Sequence, residues 1–432
     1  MKTGFFIVAL FSAIISVGCK LNVRPEVREQ QGSDAYKGLI MAGYQAWFNA
    51  EGDGADRGWY HYQKYGRFEP GYCTIDMWPE MSEYPDKYQT AFKFQDGTPA
   101  YVFSSYDEGT VDLHFRWMQE YGIDGVFMQR FVSTIKDPKG FDHYDKILEA
   151  AFNSAEKYER VICIMYDLSG MNAEDYQKVI DDWKYLVAKY DLLGMNKPSA
   201  YLSHRGKPLV AIWGIGFNDN RKYGLKEAGR ILDFLKNDPH FGNVSVQLGV
   251  PAYWRELKSD AVPDSSLHDV IRMADIVRHW FVGRYKKEAE FATFKKLIIK
   301  DITWCKENGL DYVPTVFPGF SWKNLNPSSV SNYIPRNKGN FLWKQLFGSI
   351  SAGSDMIYVA MFDEIDEGTA IFKCAHEVPV VTPEQIDESG MLNVFVPIEK
   401  EVPSDHYLWL TGQAARMLRK EIPLTSQLPT RD

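Results

Sequence analysis

The sequence predicts a (β/α)8 barrel, and three observations carry the prediction. Eight short apolar, β-favouring runs recur along the chain. Stretches with helical periodicity lie between them, the alternation of parallel β/α units. The last run, 356–362, ends in four carboxylates within five residues: Asp363, Glu364, Asp366 and Glu367. That is the strand end at which barrel enzymes carry their chemistry.

The elements follow in order. A first strand over 39–47 leads into a long aromatic loop through Trp47, Trp59, Tyr60, His61 and Tyr62, with no helix until after residue 105. A loop of that length is unusual and often functional. Helix 110–121 precedes a strand over 125–130, and helix 144–157 precedes a strand over 161–166 that ends at Asp167. Helix 173–191, strand 208–213 ending at Trp213, helix 224–236 and strand 245–250 continue the pattern. A weaker helix at 267–273 leads to strand 276–281, which carries Trp280. Helix 287–307, strand 312–317, helix 341–351, strand 356–362 and helix 406–420 complete it. An open doubly wound sheet is the competing fold, but no glycine-rich phosphate-binding turn follows any strand. No Pro/Ser/Gly linker interrupts 37–432, so that span reads as one domain.

At 432 residues, with 45% hydrophobic and 25% charged residues, the composition is that of a globular chain. Its 12 Trp, 25 Tyr and 26 Phe are an excess that core packing and sugar-stacking clefts both use. A net charge of −8 leaves no basic stripe for phosphates and argues against nucleic acid as a partner. Cys73, Cys163, Cys305 and Cys374 are scattered, without metal-ligand spacing, and assign no disulfide.

Residues 1–19 read as an export signal: Lys2 is followed by an apolar run from Phe5 to Val17, too short to span a bilayer. The run ends Ser16-Val-Gly-Cys19, which resembles a bacterial lipoprotein signal with Cys19 as the lipidated residue; Ser16 stands where leucine is usual. Residues 20–36 are polar and irregular, as a tether should be. An exported, outer-membrane-anchored lipoprotein, monomeric, is the expectation.

Three blocks resemble glycoside hydrolase family 99, the endo-acting α-mannosidases, and the related family 71. They are Ala42-Gly-Tyr-Gln-Ala-Trp-Phe48, Gly58-Trp-Tyr-His-Tyr62 and Ile75-Asp-Met-Trp-Pro-Glu80. The family's Glu-x-x-Glu-Gly motif after strand eight is matched by Glu364-Ile-Asp-Glu367-Gly368, with Ile365-Asp366 replacing its aromatic-and-His filling. The resemblance implies a retaining hydrolase of α-linked glycans. In it Glu364 deprotonates the sugar's 2-hydroxyl, which attacks C1, while Glu367 protonates the leaving oxygen and later activates water. Ordinary retaining enzymes instead place two carboxyls about 5 Å apart and use one as nucleophile. Asp363 and Asp366 raise the pKa values of the pair by repulsion. Trp47, Trp59, His61, Tyr62, Asp167, Trp213 and Trp280, each at or just past a strand end, are the expected substrate contacts together with Asp363 and Asp366.

Two other functions compete. A carbohydrate-binding lipoprotein would share the aromatic cleft without turnover, but gains nothing from crowded carboxylates. A metal-dependent hydrolase would use the four acids and His376, but no second His cluster supplies ligands, and the acidic run lacks calcium-loop spacing. Neither metal nor cofactor is expected, and among hydrolases an α-glucanase, xylosidase or arabinosidase specificity is the alternative.

Overall fold

The computed structural model describes residues 1, 35–194 and 197–431. Cys19, the signal and residues 20–34 of the tether lie outside the described residues.

Eight parallel strands close into a barrel: β1 Ile40–Tyr44, β2 Gly125–Phe131, β3 Val161–Asp167, β4 Lys207–Trp213, β5 Ser245–Val250, β6 Ile276–His279, β7 Asp311–Val313 with Thr315–Val316, and β8 Ile357–Val359. β1 pairs with both β2 and β8, the latter in register Ile40↔Ile357 to Ala42↔Val359. The strands are short and buried on both faces, which is why they read as unbroken apolar runs rather than alternating ones.

Each strand leads to a main helix: α1 Glu108–Tyr121, α2 Pro138–Lys157 (after a short turn of helix at Val132–Ile135), α3 Tyr176–Tyr190, α4 Leu225–Asn237, α5 Ser266–Arg272, α6 Phe291–Glu307, α7 Asn340–Ser351 and α8 His406–Leu418. Local chemistry fixes their starts. Asp137 caps α2, its carboxylate accepting from the Gly140 N–H at 3.0 Å, with Pro138 in the first turn. Gly412 lets α8 close on α1, since a Cβ there would lie 1.7 Å from the Tyr121 carbonyl oxygen.

Several boundaries differ from expectation, among them the start of α2 at Pro138 rather than 144, the start of α6 at Phe291 rather than 287 and the end of β8 at Val359 rather than 362. β1 stops at Tyr44 because Ala46 turns the chain with φ 55°. β6 ends at His279 rather than at 281. β7 is split at Pro314, which has no N–H to give the ladder; its first half pairs with β6 and its second with β8. The Pro314 carbonyl still accepts from Tyr358 N–H at 3.0 Å. The tether ends before residue 36: Tyr36 is wholly buried, its ring 5.9 Å from that of Phe127 on β2. The long loop after β1 holds an antiparallel hairpin, Tyr88–Lys93 with Pro99–Val102. Cys73, Cys163, Cys305 and Cys374 are free, buried thiols. Among the described residues no helix is long and apolar enough to cross a membrane.

Candidate active site

The apolar chain after β8 continues through Ala360–Met361–Phe362, where Phe362 N–H donates to the Gly43 carbonyl at 2.7 Å, and then reverses. Asp363, fully buried, holds that reversal against β1: its two oxygens accept from the N–H groups of Gln45 and Ala46 at 2.8 and 2.9 Å. Burial, opposed by these donors, leaves its pKa raised to about 7. Asp363 therefore joins two strand ends and is withdrawn from the substrate side, contrary to expectation.

Glu364 is 5% exposed and held at both oxygens, by Gln45 Nε2 at 2.5 Å and Thr369 Oγ1 at 2.5 Å. Asp366 is buried as well, with Oδ2 3.3 Å from His61 Nδ1 and Oδ1 without a hydrogen-bond partner among the described residues. The His61 imidazole lies flat on Trp47, with centroids 3.9 Å apart and planes 6° apart. Burial and the neighbouring Arg57 cation keep His61 neutral, its pKa lowered to about 3. Glu367 is the half-buried member of the cluster, and no hydrogen bond among the described residues holds its carboxyl. Burial first, then repulsion within the cluster, raises the pKa values of Glu364 and Glu367; for Asp366 burial leads and Asp76 adds repulsion.

The loop carrying these acids is anchored from outside. Asp76 and Met77 N–H both donate to the Ile365 carbonyl at 3.0 Å. The buried Asp76 carboxylate gathers Ser321 Oγ at 2.5 Å, Lys323 N–H at 2.8 Å and Asn324 N–H at 2.7 Å. Ser321 N–H in turn donates to the Glu367 carbonyl at 2.9 Å. Gly368 sits at φ +63°, where a Cβ would meet the Ser321 backbone nitrogen at 2.9 Å, so glycine is required there.

Glu367 opens on a cavity of about 470 Å³ walled by Trp280, Phe320, Trp322, Tyr333 and Arg284. Trp280 meets Trp213 edge to face, with centroids 5.3 Å apart. Trp213 fits because residue 249 is glycine: a Cβ there would lie 2.4 Å from the indole. Asp167 pairs in register with Trp213, is 6% exposed, and is occupied by Ser169 N–H at 2.8 Å; burial raises its pKa.

The strand ends thus bring together Glu364, Asp366, His61 and Trp47 on one side, and Glu367, Trp280 and Trp213 on the other. Besides Asp363, two nominated residues stand elsewhere. Tyr62 is a core residue: it is wholly buried, its hydroxyl donates to the Phe103 carbonyl at 2.9 Å, and its ring packs on Phe48 and Phe68. Trp59 packs on Tyr62 and Phe68 and sends Nε1 to Glu51 at 3.2 Å. His376 faces the Ile398 carbonyl at 3.4 Å, so it does not join the acids as a metal ligand set would require. Sequence reasoning missed Gln45 and Thr369 as holders of Glu364, and Asp76 as anchor of the loop. It also missed the cavity walls Phe320, Trp322 and Tyr333, whose signal was the aromatic run just past β7.

No family model matches the chain. A mouse protein named glycoprotein endo-alpha-1,2-mannosidase-like is 22% identical over 289 residues, 66% of this chain and 58% of its own length. The mouse glycoprotein endo-alpha-1,2-mannosidase is 20% identical over 280 residues, 63% of this chain and 55% of its own length. The chain thus spans a little over half the length of these curated relatives. The structure of the GH99 endo-alpha-mannosidase from Bacteroides thetaiotaomicron superposes with a TM-score of 0.62 at 16% identity, covering 89% of this chain and 98% of that one. That likeness shows a shared barrel fold. In sequence and in fold, the chain is similar to the glycoside hydrolases of family 99.

Proposed function

We propose that the chain is a retaining glycoside hydrolase of α-linked glycans of the mannan kind, with Glu364 as base and Glu367 as acid/base. The observation that carries this is the asymmetry within one buried acid cluster. Glu364 accepts two hydrogen bonds, which favour its charged form; Glu367 accepts none among the described residues and faces the aromatic cavity. Crowded carboxyls cannot all ionise near neutrality, and of the two glutamates Glu364, with its two donors, is the one that gives up its proton first.

The chemistry follows from that distribution. Glu364 takes the proton of the 2-hydroxyl, O2 attacks C1, and the bond from C1 to the leaving oxygen breaks as Glu367 delivers its proton. The resulting 1,2-anhydro sugar opens when Glu367 deprotonates a water attacking C1, while O2 recovers its proton from Glu364. Two inversions give net retention. Trp280 and Trp322 offer flat faces for the sugar rings. The experiment is incubation of purified protein with α-mannan, α-glucan and arabinoxylan oligosaccharides, with products followed by proton NMR. Cleavage of the α-mannan series, with the α-anomer appearing first, is the expected result. Cleavage of xylan-type substrates alone would assign another specificity, and no cleavage of any would favour a passive binder.

Asp366 adjusts the pH range rather than performing a step. Its negative charge disfavours ionisation of Glu364 and Glu367. Asp366→Asn removes that repulsion and lowers both pKa values, so both limbs of the pH–rate profile move to lower pH, by about one unit. An unmoved or alkaline-shifted profile of kcat/KM would contradict this role.

We also propose that Cys19 is acylated, placing the barrel on a membrane surface behind a tether of about fifteen residues. Labelled palmitate should enter the expressed protein and be absent from Cys19→Ala. Equal labelling of the two would remove the anchor.

A further inference from the structure

A second cavity adjoins the one beside Glu367. Tyr333 lines both: the first, of about 470 Å³, holds the acid, and the second, of about 490 Å³, lies beyond the tyrosine. Each volume falls in the range of small-ligand sites. Tyr333 is fixed through its chain neighbour. Ile334 N–H donates to the Phe320 carbonyl at 2.9 Å, and Phe320 N–H donates back to Ile334 at 3.0 Å. The two chambers therefore share one anchored aromatic wall.

Their chemistry differs. The first chamber is walled by Trp280, Phe320 and Trp322, whereas Lys286, Lys287, Glu288, Asn337 and Phe341 line the second. The lysines belong to the segment between β6 and α6, which turns at Gly283 with φ +76°. Their backbone N–H groups donate to Glu290 Oε2 at 2.7 and 3.2 Å, which fixes both residues just ahead of α6. The Lys286 ammonium stands 3.7 Å from the centroid of the Tyr333 ring. That contact steadies the charge but leaves its N–H donors unused. Neither ammonium forms an ion pair among the described residues. Glu288, the one carboxylate lining this chamber, accepts from Asn337 Nδ2. Two ammoniums thus face one carboxylate, in a chain whose net charge is −8.

We propose that the second chamber is a distal subsite on the leaving-group side that takes an anionic substituent of the glycan, a uronate carboxylate or a phosphate ester. This rests on the reading of Glu367 as the acid beside the leaving oxygen, because that reading puts the chamber beyond the departing sugar. Tyr333 then offers its other face to the sugar in the first chamber, while Lys286 and Lys287 meet the charge carried past it. The preferred substrate is an α-linked glycan that is acidic toward its reducing end.

The test uses the full chain and α-mannan oligosaccharides of matched length, either neutral or carrying one uronate or one phosphate ester at either end. Charge at the reducing end should lower KM about 3–10-fold at low ionic strength, the size that two solvent-exposed charge pairs supply. The gain should vanish in about 1 M salt. The stronger of the uronate and phosphate arms names the source of the charge. In Lys286→Met combined with Lys287→Met the charged and neutral KM values converge, a comparison made within one protein and so independent of how much of it folds. Calorimetric titration of the same set into Glu364→Gln reads the affinity ratio without turnover. Cleavage with equal KM for charged and neutral glycans overturns this subsite and leaves the hydrolase reading intact. A charge-dependent affinity with no cleavage by the wild type does the reverse. A preference that persists in the double lysine variant, or an equal gain from charge at the non-reducing end, also overturns the subsite.

Discussion

Glu364→Gln and Glu367→Gln should each lower kcat on the cleaved glycan by about 10²–10⁴-fold, because each removes a positioned proton-transfer group while preserving shape. The two losses have different origins. Glutamine at 364 keeps an oxygen for Thr369 or Gln45 but cannot accept the 2-hydroxyl proton. Glutamine at 367 cannot supply the leaving oxygen with a proton, and its position on the aromatic cavity leaves binding nearly intact. KM should therefore move little while kcat falls, the signature of an interaction made in the transition state. Calorimetric titration of an uncleaved oligosaccharide into either variant checks that affinity survives. Near-normal turnover in both, with Asp366→Asn inactive, would reverse the assignment.

The same acids should make the barrel less stable in mild alkali. Asp363, Glu364 and Asp366 have folded pKa values raised by burial, to about 7 for Asp363, and Glu367 is raised with them. The folded state thus binds more protons than the unfolded chain above the ordinary carboxylate range, so stability falls as pH rises through these raised values. Half-buried His61 and buried His114 and His143 act oppositely, since their lowered pKa values let the unfolded chain gain protons below about pH 6.5. Unfolding free energy should then be on the order of 2–4 kcal/mol greater at pH 6.5 than at pH 8.5 and fall again in acid. Urea denaturation across that range measures it. Glu367→Gln should flatten the alkaline slope and stabilise the fold at pH 8.5, a gain in stability at the expense of activity. A flat profile in the wild type would mean that the cluster is already neutralised by other groups.

Much of this was legible in the sequence, for identifiable reasons. Strands buried on both faces announce themselves as apolar runs, so all eight were visible, and the acidic discharge after β8 marked the strand end on which the candidate site is built. What escaped depends on contacts remote along the chain. The early end of β1 is imposed by Asp363, which reaches back across more than three hundred residues to Gln45 and Ala46; nothing about alanine signals a left-handed turn. Trp47 and Tyr62 are aromatic residues of one loop, yet one stacks on His61 beside the acids and the other fills the core. No periodicity in an irregular loop distinguishes them. Phe320, Trp322 and Tyr333 form the cavity wall because Asp76, from the loop after β1, organises the 321–324 turn.

The division of labour between the two glutamates is tested most directly with an oligosaccharyl fluoride of the cleaved glycan, since fluoride leaves without protonation. In single-turnover fluoride release, Glu367→Gln should stay within about tenfold of the wild type, while Glu364→Gln falls by 10²–10⁴-fold. Fluoride release by Glu364→Gln at the wild-type rate would contradict the account.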